Sequence, residues 1–251
     1  MSEDKKKETV KLRGVIRHVY KTAGRAMHDY GMLADGDRIL IALSGGKDSW
    51  ALYQMMKLRK AHIPINFSYV VLTVDCSFSE HDKQRLRDYF ARENVEFVFR
   101  ELPVEHRNID CFWCSWNKRK VFFLTAREYG CNKIALAHHI DDAIETTLMN
   151  LCIHGTVSGM RPNGEFFEGE LKVIRPFIYL PESDLTRFTN EFDVPIVHSN
   201  CPYASVSRRR MMKEMIHRLS AEMPHVNVRK NIFEALKREN IKSGYLHDTD
   251  C

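Results

Sequence analysis

Three groups of residues in this chain could do chemistry. The first is the run Ser44-Gly45-Gly46-Lys47-Asp48-Ser49. Its paired glycines let the backbone turn sharply and bring N–H groups close to an anion. Ser44 and Ser49 add hydroxyls and Lys47 adds charge. Placed between a strand and a helix, the loop would also receive the positive end of the helix. These features describe a phosphate cradle. The spacing is neither that of a Walker A loop nor that of the dinucleotide fingerprint. The second group is His138, His139, Asp141, Asp142 and Glu145, within Ala135–Asn150. Asp142 and Glu145 have the spacing of a capping box that opens a helix, and acids favour a helix N-terminus. Capping does not explain two histidines just before them. The third group is Cys111 and Cys114, followed by the basic run Lys118-Arg119-Lys120, with Cys201 far downstream.

A C-x-x-C pair has several readings. A structural disulfide is disfavoured if the chain is cytoplasmic, where thiols stay reduced. A redox dithiol usually opens a helix after the first strand of a βαβ unit, and this pair comes after the third. Zinc takes four ligands, which Cys111, Cys114, His198 and Cys201 would supply. Iron–sulfur clusters usually take four cysteines. Ala204 stands where a C-x-x-C partner of Cys201 would be, so three cysteines fit a cluster with one open iron. Zinc and iron–sulfur both remain open at this point. Of the other cysteines, Cys76, Cys131 and Cys152 read as core or near-core, and Cys251 as an exposed terminal thiol.

The elements that must position these groups follow from periodicity. Residues 10–30 place Val15, Ile16, Val19, Tyr20, Ala23, Ala26 and Met27 at helical spacing. Ile39–Leu43 is a short apolar run ending at the glycines, as in a buried parallel strand. A helix is expected from about Ser49 to Lys60. Strands are expected at 66–75, 95–102 and 133–139, and a fifth at 170–177. Further helices are expected over Ser115–Tyr129, Asp142–His154 and Glu182–Phe192. Strands alternating with helices mean βαβ units and a parallel, Rossmann-like α/β sheet. Ligands bind at the carboxyl ends of such strands. Ser44–Ser49, Asp75–Cys76 and His138–Asp142 all fall there. Asp75 has two readings, closing a turn or lying beside a nucleoside.

The chain has 251 residues, 44% hydrophobic and 28% charged, which suits a soluble globular protein with a sizeable core. No apolar run approaches the roughly 18–20 residues of a membrane span, and the first residues lack the apolar core of a secretory signal. We expect a cytoplasmic protein without membrane association. The net charge of +5 is modest, so its distribution matters more. Positive charge gathers at Lys5–Lys7, Lys11, Arg13, Arg17, Lys21 and Arg25, at Lys118–Lys120, and at Arg208–Arg210. These clusters are candidates for a polyanion surface. The expected organisation is a basic N-terminal helix (1–30), a catalytic α/β domain (31–200) and a helical C-terminal extension carrying Cys201 (201–251).

The strand-Ser-Gly-Gly-Lys-Asp-Ser stretch resembles the PP-loop of the N-type ATP pyrophosphatases. That resemblance implies a loop that grips pyrophosphate, with Asp48 near the phosphates and Mg²⁺. The glycine loop, C-x-x-C, His-His-x-Asp-Asp and a lone downstream Cys-Pro occur in the order seen in the tRNA 2-thiocytidine synthetase family. The likeness spans roughly residues 10–220. It implies ATP bound by Ser44, Gly45, Gly46, Lys47, Asp48, Ser49, Asp75, His138 and Asp142. Asp48, Asp142 and Lys118 would be catalytic, Lys118 having the spacing from Cys114 at which relatives contact the nucleotide. Cys111, Cys114 and Cys201 would hold a [4Fe-4S] cluster. The implied reaction converts a tRNA cytidine, at position 32, to 2-thiocytidine: ATP with Mg²⁺ adenylates the C2 oxygen, sulfide attacks C2 and AMP departs. Partners would be tRNA and a sulfur donor, either a cysteine desulfurase or free sulfide, and a homodimer is expected. Lys118, Arg119, Lys120, Arg208, Arg209 and Arg210 are candidates for holding RNA. Trp113 and Trp116 could stack on a displaced base, though core packing is the favoured reading. A thiolase of another base or of a small metabolite, and a metal-containing RNA-binding regulator, are the alternatives.

Overall fold

The computed structural model describes residues 12–75, 77–102, 111–197 and 208–242, with backbone alone at 111, 112 and 239–242. The readings made above for Lys5–Lys7, Lys11, Cys76, His198, Cys201 and Cys251 lie outside the described residues. A six-stranded sheet carries the fold. Its strands are β1 (Asp37–Ala42), β2 (Phe67–Asp75), β3 (Phe97–Glu101), β4 (Lys133–Ala135), β5 (Asn163–Phe166) and β6 (Leu171–Ile174). They lie in the order β3-β2-β1-β4-β6-β5. All neighbours pair in parallel except β5, which runs antiparallel to β6 at the edge. The helices are α1 (Gly14–Asp29), α2 (Lys47–His62), α3 (Glu80–Glu93), α4 (Cys111–Glu128), α5 (Ile140–Met149), α6 (Glu182–Thr189), α7 (Arg208–Glu222) and α8 (Val228–Lys242).

The chain leaves β1 for β2 and β3 on one side and returns to β4 on the other. The crevice between the carboxyl ends of β1 and β4 is therefore the point where strand order reverses, the usual ligand position in such sheets. At the opposite end, a buried ion pair ties these two strands together. Lys133 Nζ lies 2.6 Å from Asp37 Oδ2, with side chains 6% and 3% exposed. Asp37 also accepts bonds from the Ala34 amide and from Asn132 Nδ2, so its lone pairs are used and the buried charge is tolerated.

Two cores flank the sheet. One contains α1, α2 and α6 against Ile39, Ile41 and Val71; the other holds α4 against Leu40, Val70 and Leu72. Helix α2 is buried from Ser49 to Met56 without an exposed stripe, as expected of a helix covered on every side. Ile16, Val19 and Met27 bury the inner face of α1 in the same core. Each such side chain contributes about 1.5–3 kcal/mol. Arg13, Arg17 and Lys21 stay exposed on its outer side, while Arg25, also exposed, lies over the Tyr179 ring.

The structure departs from the sequence pattern at several elements. Residues 80–93, to which periodicity assigned no element, form α3. It buries only Leu86, Tyr89 and Phe90, so its apolar signal is thin. It is stabilised by the Ser79 cap on the Asp82 amide and by the crossover that parallel β2 and β3 require. The edge strand β5 was likewise unassigned. It has four residues, with a glycine inside, and depends on pairing with β6. Helix α5 begins at Ile140 rather than Asp142 and passes into a single π turn, Asn150–His154. Cys152, expected near the core, is exposed on that turn because the turn leaves the packed face of α5. Cys131 is buried as expected. Trp116, expected in the core, is 56% exposed on the outer side of α4, with Lys120 Nζ 5.9 Å from its ring centre. Trp113, one turn away, is half-buried. Among the described residues no helix is long and apolar enough to cross a membrane.

Candidate active site

The loop after β1 is held open by a glycine that nothing else could replace. Gly45 has φ +83°, and a Cβ there would meet Val197 Cγ2 at 2.3 Å. Its carbonyl accepts the Val197 amide at 3.0 Å, fastening the loop to the chain that leads towards residue 201. Gly46 is extended at the N-cap of α2, and no side chain caps that terminus. The first N–H groups of α2 and its dipole therefore face the space above the loop, where an anion is favoured. Ser49 Oγ donates to the Gly46 carbonyl (2.7 Å) and Ser44 Oγ to Ser49 Oγ (3.2 Å), which fixes the loop's shape.

The loop after β4 faces it. His139 is the N-cap of α5, and its N–H donates to Asp142 Oδ2 at 3.0 Å. The capping interaction is real, but it lies one turn earlier than the Asp142–Glu145 spacing suggests. Glu145 is buried in the second turn rather than at the cap. Burial pushes its carboxyl up to about 7, with the Asp142 charge adding to the push. Arg175 Nε donates to His138 Nδ1 at 3.2 Å. Burial, and after it the Arg175 charge, drives His138 well below the ordinary histidine value. His138 is thus a neutral imidazole whose remaining proton belongs on Nε2.

Between the loops lies a cavity of about 490 Å³. Ser44, Gly46, Asp48, Ser49, His138 and Asp142 form its polar side, while Val74, Phe78, Phe122 and Leu136 offer apolar wall. Lys118 reaches it from α4, a turn beyond Cys114. Such a mixture suits a flat apolar ring joined to a phosphate chain. Lys47 and Asp75 do not line it. Lys47 Nζ bonds Asp48 Oδ1 (2.8 Å) and Glu182 Oε1 (2.9 Å). Asp75 closes the turn after β2, accepting the Phe78 amide at 2.9 Å and pairing with Lys83 at 2.7 Å. Burial alone would raise its carboxyl, yet Lys83 and the Phe78 amide hold it below the usual value. Glu182, at the start of α6, had no signal in the sequence beyond an acid in a helix's first turn. A larger cleft of about 580 Å³ opens between α1 and α8, lined by Arg25, Tyr179, Phe233 and Lys237. The glycine loop does not reach it, so size does not make it the reaction site.

Cys111 and Cys114 stand in the first turn of α4, where i and i+3 share a face. They begin a helix, rather than lying in the loop before one. Cys114 is half-buried against the core beneath α4. A helix N-terminus stabilises thiolate, and Cys114 stands in that first turn. Arg119 is half-buried and Lys120 exposed on the same helix. The run Arg208–Arg210 does not present one face. Arg210 Nε bonds Glu214 on the exposed side (3.0 Å), while Arg209 Nη1 lies 3.4 Å from Asp142 Oδ1.

The PP-loop domain family matches residues 16–219. The tRNA-cytidine(32) 2-sulfurtransferase of Geobacter sulfurreducens is 32% identical over 246 residues, covering 93% of each chain. That of Sorangium cellulosum is 35% identical over 243 residues, covering 93% of this chain and 84% of its own. This chain belongs to that family. Among solved structures, the U34-tRNA thiolase NcsA from Methanococcus maripaludis, determined with its [4Fe-4S] cluster, superposes with a TM-score of 0.72. At 19% identity, over 91% of this chain and 79% of that one, it confirms the PP-loop fold. The facing loops of this 2-sulfurtransferase family member therefore sit in the architecture the sequence implied.

Proposed function

We propose that the protein is an ATP-dependent tRNA thiolase that converts cytidine 32 to 2-thiocytidine. The observation that carries this is one cavity in which the uncapped start of α2, the His138–Asp142 loop and Lys118 of the cysteine-bearing helix converge. ATP would lie with its phosphates over Ser44–Ser49 and its adenine against the apolar wall. The C2 oxygen of the cytidine attacks the α-phosphorus, the α–β bond breaks, and pyrophosphate leaves into the N–H groups of α2. Sulfide then attacks C2, the C2–O bond breaks with its electrons going to oxygen, and AMP departs.

Lys118 offsets charge on the nucleotide from the side opposite the glycine loop. His138, neutral with its proton on Nε2, would donate a hydrogen bond without adding a cation. Asp48 and Asp142 supply the oxygens a Mg²⁺ ion prefers. Cys111, Cys114 and Cys201 would hold a [4Fe-4S] cluster, which when bound would keep sulfide available as a nucleophile. The three sulfurs fit that group better than zinc, which would need His198 as a fourth ligand. The helix start also favours a thiolate at Cys114.

The test is an anaerobic reaction with tRNA, Mg·ATP and sulfide. AMP and pyrophosphate should appear in step with 2-thiocytidine. Release of ADP and inorganic phosphate, or thiolation of a tRNA bearing uridine at position 32, would overturn the reading. Iron and sulfide content should vanish in Cys111→Ala, Cys114→Ala and Cys201→Ala and persist in His198→Ala. Loss of metal in His198→Ala, with zinc in the parent, would replace the cluster by zinc.

A further inference from the structure

Helix α7 places two cations, Arg209 and Lys213, one turn apart on the face that meets the first turns of α5 and α6. Arg209 Nη1 lies 3.4 Å from Asp142 Oδ1, in the first turn of α5. Lys213 Nζ lies 2.7 Å from Glu182 Oε2. The other oxygen of Glu182 accepts from Lys47 of the glycine loop at 2.9 Å, and Lys47 also holds Asp48. A continuous chain of charge therefore runs from the glycine loop through Glu182 to α7 and back to Asp142. The opposite face of α7 differs, since Arg210 there is exposed and pairs with Glu214 of its own helix.

We infer that Arg209 and Lys213 form the outer cationic wall of the nucleotide site, and that they bind the β and γ phosphates of ATP and the pyrophosphate that leaves. This rests on the thiolase reading and adds residues to it. The start of α2 offers N–H groups on one side of a polyanion, and α7 supplies the missing charge on the other. The Arg209–Asp142 distance exceeds the 2.7–3.2 Å typical of a hydrogen bond, and the two side chains are 39% and 19% exposed. Such a pair is weak, so phosphate oxygens can replace the carboxylate at little cost. A guanidinium fork also matches phosphate better than a lone carboxylate oxygen. Asp142, which lines the cavity, and Glu182 then act as placeholders that hold the two cations at its rim between turnovers. The Arg208–Arg210 run, a candidate RNA grip by sequence, is thereby divided: Arg209 belongs to the nucleotide and Arg210 faces outward.

The experiment measures binding of Mg·ATP, Mg·pyrophosphate, AMP and tRNA to anaerobically prepared holoprotein, with Arg209→Gln, Lys213→Gln and Arg210→Gln compared. Arg209→Gln and Lys213→Gln should each weaken pyrophosphate binding about ten-fold or more, the loss of one charge-assisted hydrogen bond. AMP, which lacks the β and γ phosphates, should change less than about two-fold by the same reasoning. Arg210→Gln should leave pyrophosphate binding unchanged. Arg209→Lys, which keeps the charge, should recover part of the loss and shows that folding is intact. Unchanged pyrophosphate binding with weakened tRNA binding would make α7 an RNA surface and overturn the assignment. Unchanged binding of both would reduce these contacts to ion pairs that fasten α7. A parent protein that binds neither ATP nor pyrophosphate would instead overturn the nucleotide reading of the whole site.

Discussion

Asp142 is both a cap and a candidate catalyst, and substitution can separate the two roles. Its Oδ2 accepts the His139 amide at 3.0 Å and its Oδ1 faces Arg209 at 3.4 Å. Asp142→Ala removes both contacts. The cap is worth about 0.5–2 kcal/mol, and the partly exposed pair adds about 0–1 kcal/mol. A chain of this size loses roughly 2–4 °C of Tm per kcal/mol, so Asp142→Ala should melt about 1–12 °C lower. Asp142→Asn keeps an oxygen for the His139 amide and loses only the charge. It should therefore melt within about 4 °C of the parent, taking the pair at its upper value. If the charge acts on the nucleotide, turnover of Asp142→Asn should still fall by about 10²–10³, as for other lost electrostatic contacts to a transition state. Thermal melting and AMP release at about 25 °C, measured on the same preparations, give both quantities. Near-parental turnover in Asp142→Asn, with loss confined to Asp142→Ala, would show that the residue acts only as a cap.

Glu145 makes a pH prediction. Its folded value of about 7 lies above its unfolded value of about 4.3, so the folded state binds more protons across that interval and stability should fall as pH rises through it, levelling above about 7. Glu145→Gln should flatten that fall in denaturant titrations, and an unchanged slope would refute the burial argument. Asp37→Ala should cost about 3–5 kcal/mol by leaving Lys133 buried and unpaired, whereas an apolar double replacement, Asp37→Leu with Lys133→Met, should recover part of it, the Ala34 amide and Asn132 Nδ2 losing their acceptor in both. Calorimetry on the single and double variants decides, and an equally unstable double would show that the pair itself is needed. If Arg208 and Arg210 hold tRNA phosphates, replacing both by Gln should lower the slope of log affinity against log salt by roughly 1.4–1.8. An unchanged slope would move the RNA surface to the exposed basic face of α1.

The loop chemistry was legible in the sequence because it is local. Ser44–Ser49 sits directly after an apolar strand and before a helix, so its turn, its hydroxyls and the helix dipole follow from neighbours in the chain. The parallel sheet was legible for a similar reason, since strands alternating with helices admit few other arrangements. Elements whose stability comes from partners were not legible. Helix α3 has three buried residues to announce it, and β5 exists because β6 pairs with it. The start of α5 was misread by two residues, because Asp142 caps backwards onto His139 rather than opening the helix. Trp116 and Cys152 carry apolar signals, yet both stand on faces that no other described element covers. The sequence also could not show that Glu182 joins Lys47 to Lys213, or that Arg209 turns inward while Arg210 turns out. Side-chain direction along a basic run depends on which face of the helix packs against the sheet domain, and only the tertiary structure decides that.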